Sequence, residues 1–132
     1  MWCDLLGKEY LEGGRGPDAF DCWGLCLEVS RRAGRPLPAI VTPGNLQATH
    51  EAYLAAAYFC RRLDGPQPFC VVAFMILVPF VTHMGIVLPD CRRFIHIMRK
   101  RSVAVERLDH PIWSKRVAGY YEFSDHHDRQ SV

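Results

Sequence analysis

The chain has 132 residues, 49% of them apolar and 23% charged, with a formal net charge of +2. That size and balance fit one domain around a single core, and so small a charge, with Arg-Arg pairs scattered rather than clustered, argues against nucleic-acid binding. No stretch reaches the roughly 20 apolar residues of a membrane helix, so no membrane insertion is expected. The opening residues do not combine a basic start, an apolar run and a small-residue cleavage site, as an export leader would.

Residues 2–9 read as a short helix with Trp2, Leu5 and Leu6 inward, and Tyr10 opens a glycine loop, Gly13-Gly14-Arg15-Gly16. The loop follows no clear strand and lacks the Lys-Ser/Thr of a phosphate loop, so it reads as a tight turn. Asp21 is an N-cap, which puts Cys22 at the first helical position. Free amides and the positive end of the helix dipole there favour a thiolate over the ordinary thiol, whose pKa is about 8.5. Asp21 opposes this by repulsion, so a basic partner is required. His83 and His96 are the candidates, brought in from separate strands.

Apolar side chains at 22, 25, 26, 29 and 33 give a helical face, which Gly34 and Pro36 end. Cys26, one turn after Cys22, reads as a core filler. Residues 36–45 form a surface connection, and 46–61 a second helix with an alanine-rich core side, on which His50 is a surface residue. Asp64-Gly65-Pro66 is a turn. Within the apolar run Phe69–Val81, Cys70 to Val78 reads as a buried strand, and Pro79 ends it or marks an edge. In the next strand His83, Gly85 and Val87 share one face and Met84, Ile86 and Leu88 the other. Phe94, His96 and Met98 then alternate with Ile95 and Ile97, and 102–107 alternates Val103 and Val105 with polar neighbours. Asp109-His110-Pro111 turns the chain toward Trp113, His110 being a loop residue, and 116–123 is the last strand. The result is an α+β fold, early helices packed on an antiparallel sheet of about five strands, over residues 1–123. The polar tail 124–132 reads as mobile, and its Asp125-His126-His127-Asp128 as solvated rather than metal-binding. The six cysteines include no Cys-x-x-Cys, and read as reduced, largely buried thiols.

Several pieces together resemble the NlpC-type cell-wall peptidases, papain-like cysteine enzymes that cut peptidoglycan stem peptides. They are Tyr10 with Gly13-Gly14, Phe20-Asp21-Cys22-Trp23-Gly24-Leu25, Thr82-His83-Met84-Gly85-Ile86-Val87-Leu88, Phe94-Ile95-His96-Ile97, and Val105 through Pro111 with Trp113. The match covers most of residues 5–123 in the family's order. The Asp-Cys-Trp-Gly form looks most like the phage and prophage tail-associated branch. One departure stands out: where the family usually has Gly-Asp-Leu-Val, this chain has Phe69-Cys70-Val71-Val72.

The resemblance implies a papain-like core and a Cys-His-His mechanism: Cys22 the nucleophile, His83 the base, His96 its orienting partner. The Cys22 amide would meet the oxyanion, with Tyr10 and Asp21 in supporting places. Neither metal nor cofactor is required. The implied substrate is a peptide bond of the peptidoglycan stem, commonly between D-glutamate and a diamino acid. The implied partners are tail-tip or hub proteins of a phage-like particle. Such a protein would be made in the bacterial cytoplasm, join the tail, and act at the cell wall or periplasm. Two alternatives stay open at this level: a structural tail-tip or assembly protein on the same scaffold, and a metal-binding module using Cys22, Cys26, His83 and His96.

Overall fold

The computed structural model describes residues 2–40, 45–58 and 60–123. The tail 124–132, with its Asp-His-His-Asp sequence, lies outside the described residues, as do positions 41–44 of the predicted connection. The chain opens with a 3-10 turn, Cys3–Leu5, which buries Leu5 but leaves Leu6 exposed. The predicted eight-residue helix is cut short because Gly7 takes a positive φ of 86° and hands the chain to β1 (Glu9–Tyr10). β1 pairs in parallel with β2 (Ala19–Phe20), so the glycine loop is folded back on itself ahead of α1 (Cys22–Arg32).

The sequence sets the start of α1 in two ways. Asp21 has extended backbone angles, and its carboxylate accepts from the Gly24 amide at 2.7 Å, a cap worth about 1 kcal/mol. Gly24 lets the glycine loop dock on the helix: a Cβ there would collide with the Gly14 carbonyl, which accepts from the Asp21 amide at 3.0 Å. The Arg15 guanidinium then ties the loop down, bonding Asp21 at 2.5 Å and the Ile40 carbonyl at 2.8 Å.

After α2 (Leu46–Tyr58) come β3 (Arg61–Leu63), β4 (Val71–Phe74), β5 (His83–Val87), β6 (Arg93–His96) and β7 (Ala104–Arg107). The short α3 (Pro111–Ser114) and β8 (Val117–Glu122) complete the fold. The main sheet is antiparallel and six-stranded, in the order β3-β8-β4-β5-β6-β7. Alternation along β5 and β6 divides the core as the sequence predicts. Met84, Ile86, Leu88, Ile95 and Ile97 face Leu25, Cys26 and Val29 of α1. Val87 and Phe94 face the other way, with Phe74 and Trp113.

Four further expectations need correction. The helix predicted over 46–61 stops at Tyr58, and Arg61–Leu63 is an edge strand beside β8. Helix α2 is also less buried than its alanines suggest: Tyr53 is its one buried residue, at 9% exposure, and Tyr58 is 83% exposed. The strand expected from Cys70 to Val78 ends at Phe74, and Leu77 and Val78 are exposed in a turn closed by the Phe80 amide on the Leu77 carbonyl. Pro79, which has no amide to donate, cannot continue a ladder there. His50 is not a free surface residue. Its Nδ1 accepts from the Val81 amide at 2.9 Å and its ring meets Phe80 edge-on, so α2 holds the turn.

The departure from the family pattern lies at the start of β4. Phe69 has φ 62°, the left-handed region where glycine costs nothing and a side chain about 1–2 kcal/mol. Its ring packs edge-on against Trp2 at 6.2 Å. Cys70 is buried in the second core cluster, with its sulfur 3.5 Å from the Gln67 amide that donates to it.

Candidate active site

A cleft of about 430 Å³ runs between the start of α1 and the ends of β5 and β6, and both Cys22 and His83 line it, with Tyr10 and Asp21. His83 enters it from the first residue of β5, and His96 stands behind at the last residue of β6. The structure therefore brings the predicted cysteine and first histidine to one cavity, and the two histidines into contact. His83 Nε2 lies 2.7 Å from His96 Nδ1.

The pair is boxed by aromatic rings. His83 is 5.6 Å from Phe74 and 5.9 Å from Trp113, and His96 is 4.7 Å from Phe94 and 4.8 Å from Trp113, centroid to centroid. Trp113 reaches the box from α3, whose N-cap is His110: its Nδ1 accepts from the Ile112 amide at 3.1 Å, a structural use of that ring. Gly85 makes room between the strands. A Cβ there would stand 2.8 Å from the Ile95 carbonyl and 3.2 Å from the His96 Cβ.

Burial in this box decides the charge of the site. His83 is pulled down to about 3, first by burial and then by the neighbouring His96. Burial lowers His96 as well, against the opposing pull of Glu106. Both rings are neutral at pH 7. The Cys22 thiol corrects the sequence expectation of a standing thiolate. Burial and then the Asp21 carboxylate push it up to about 11, and the amides of Met84 and Trp23, which favour the anion, do not overcome them. The helix-terminus effect is present but outweighed, because desolvation acts on the whole charge.

Tyr10 is half-buried on the cleft wall. Its hydroxyl faces Glu12 Oε2 at a long 3.4 Å, and burial followed by the Glu12 charge raises its pKa. Glu12 in turn pairs with Arg99 at 2.5 Å. Asp21 is spent on the helix cap and the Arg15 pair, which places it as the fixed base on which Cys22 is mounted. Cys26 is completely buried in the α1 core, and among the described residues no group of three His, Cys, Asp or Glu side chains is arranged to hold a metal ion. The Cys22–Cys26–His83–His96 metal alternative therefore has no assembled ligand set.

One site residue escaped the sequence reading. Glu106 of β7 places Oε2 2.7 Å from His96 Nε2. The alternation of Val103 and Val105 assigns it to the polar side of its strand. That side is the one the histidines occupy, and only the β6–β7 register, with His96 opposite Ala104, shows it.

The family model for NlpC/P60 matches residues 7–122. Among solved structures, the fold is similar to an NlpC/P60 family protein from Bacillus cereus, with TM-score 0.68 and 22% identity over 90% of this chain and 36% of that one. It is similar also to a lipoprotein-like NLP/P60 family protein from Staphylococcus aureus, with TM-score 0.64 and 23% identity over 92% and 38%. NlpC2 from Trichomonas vaginalis gives TM-score 0.66 and 19% identity over 91% and 43%. The chain thus spans about two fifths of the length of these structures. No curated protein matches it. With the mixed fold, the cleft and the family match in agreement, the chain belongs to the NlpC/P60 family.

Proposed function

We propose that the chain is a cysteine peptidase or amidase acting on peptidoglycan stem peptides. The observation that carries the reading is that His83, in contact with the buried His96 behind it, lines the same cleft as Cys22. In this reading Cys22 attacks the amide carbonyl while His83 takes the thiol proton, and His83 returns that proton to the leaving amine. Water then attacks the thioester, giving its proton to His83 and releasing the acid and the free thiol. The resting thiol and imidazole are both neutral, so proton transfer accompanies attack rather than preceding it. The Cys22 amide, at the first turn of α1, is the donor assigned to the oxyanion, and Tyr10 faces the same space. The walls suit an extended peptide: Leu46, Ile76, Leu77 and Met98 are apolar, and Asn45 and Thr82 are polar.

The finer assignment is a tail component of a phage or phage-like particle, made in the bacterial cytoplasm and acting at the cell wall. The Asp21-Cys22-Trp23-Gly24 form supports it. Attachment to a tail-tip or hub protein would raise the local concentration at the wall.

The test is digestion of purified peptidoglycan by the wild-type chain and by Cys22→Ala, with products read by mass spectrometry. Stem-peptide fragments from wild type alone are expected, and their masses identify the bond. If a well-folded wild type releases none, free or in particles, the hydrolase reading is wrong and the structural tail-tip role replaces it.

A further inference from the structure

Three side chains on three consecutive strands make one hydrogen-bonded line. His83 Nε2 meets His96 Nδ1 at 2.7 Å, and His96 Nε2 meets Glu106 Oε2 at 2.7 Å. Each step joins a particular ring nitrogen to a particular partner, so the line carries proton bookkeeping. A glutamate carboxylate accepts and does not donate, while a neutral imidazole has one N–H and one bare nitrogen. Burial keeps both rings neutral. His96 must then give its N–H to Glu106 from Nε2, which leaves its Nδ1 bare. That bare nitrogen can only accept, so the proton between the rings belongs to His83 Nε2. The Nδ1 of His83 is left without a proton. The rings of Phe74, Phe94 and Trp113 around the pair offer no lone pair to compete for these protons.

We infer that Glu106 is a positioning residue that sets the tautomer of both histidines and so leaves His83 Nδ1 as the proton acceptor for Cys22. The inference rests on the reading of Cys22 and His83 as nucleophile and base. With Glu106 absent, His96 is free to carry its proton on Nδ1. His83 Nε2 must then accept, which puts the His83 proton on Nδ1, where it blocks the base. The Gly85 gap between β5 and β6 is what lets the His96 ring sit close enough to pass the constraint on. Glu106 lies only diagonally across from His96, on the strand beside it, so truncating its half-exposed side chain leaves the core intact.

The test is 15N NMR of the full chain labelled at histidine, with His83 and His96 assigned by substitution and the nitrogens of each ring distinguished by their shifts. Wild type is expected to carry the proton on Nε2 of both rings. Glu106→Ala is expected to move a substantial population of His96 to the Nδ1–H form, whereas Glu106→Gln, whose amide oxygen still accepts, keeps the wild-type pattern. In turnover, Glu106→Ala should lose about 10²-fold in kcat with KM little changed, and Glu106→Gln should recover most of it. A proton on Nδ1 of either wild-type ring overturns the inference, as does a folded Glu106→Ala with unchanged tautomers. Nδ1 protonation in an active wild type removes the relay and spares the peptidase reading. The expected tautomers in a chain that cleaves nothing do the reverse.

Discussion

On the sheet side of the cleft, His83 and His96 are fixed by each other, by Glu106 and by three aromatic rings, with 6% and 2% of their surface exposed. On the opposite side, α2 and residues 76–80 present Leu46, Leu77 and Val78 at 41%, 55% and 80% exposure, and the His50–Val81 bond joins the two segments. The same chain thus builds one wall at core density and the other with a few contacts. The dense wall holds groups whose proton chemistry depends on tenths of an ångström. The sparse wall, whose apolar side chains are exposed, is where local opening is cheap, and in the proposed reading it is the side that would accommodate the stem peptide.

The largest expected effect comes from disturbing the dense wall directly. Gly85→Ala puts a Cβ 2.8 Å from the Ile95 carbonyl, a backbone atom that cannot swing away. β5 and β6 must separate, at a cost of about 1–3 kcal/mol in urea denaturation. The His83–His96 bond spans that gap, so turnover should fall further than stability alone explains. An unchanged denaturation midpoint would show that β5 and β6 have room for the added methyl group.

Acid titration sharpens the contrast next. The His83 ring has a pKa of about 3 in the fold, against 6.5 when free. Between these values the unfolded chain binds a proton that the folded chain does not, so stability falls as pH drops from about 6.5 toward 3, and the term is absent above 6.5. Its slope reaches about 1.4 kcal/mol per pH unit for one proton. Urea midpoints at pH 7, 5.5 and 4.5 measure it. Carboxylates contribute at the acid end too, so the comparison is with His83→Gln, which should show the shallower slope. Equal slopes would contradict a buried neutral ring.

The smallest effect belongs to the sparse wall. His50→Ala leaves the Val81 amide without its acceptor, at a cost of about 1 kcal/mol. Hydrogen exchange should quicken at Val81 and Phe80 while the amides of β5 and β6 keep their protection. Faster exchange in both regions would mean that the two walls are mechanically one.

The parts of this arrangement that the sequence makes legible are those set by neighbours along the chain. The Asp21 cap, the length of α1, and the opposite faces of His83 and Met84 all follow from local spacing. What stayed hidden depends on register or on competition. Glu106 looks like an ordinary polar residue until β7 is aligned with β6. The short strand β3 exists because β8 offers an edge to Arg61–Leu63, not because of its own pattern. The charge state of Cys22 turns on magnitudes: the amides of Met84 and Trp23 and the Arg15 charge on one side, burial and Asp21 on the other, with burial the largest. The apolar run through Val78 reads as a strand by composition, yet its later residues lie in an exposed turn at the cleft.

Covalent trapping is the measurement that decides whether Cys22 is the nucleophile. The purified chain is mixed with a peptidoglycan stem peptide, quenched in acid within the first turnover, and examined by intact and peptide-level mass spectrometry. An acyl group on the α1 peptide at Cys22 is expected, absent in Cys22→Ala. A cleaved substrate with no acyl group on Cys22, or an acyl group on one of the other cysteines, would contradict it.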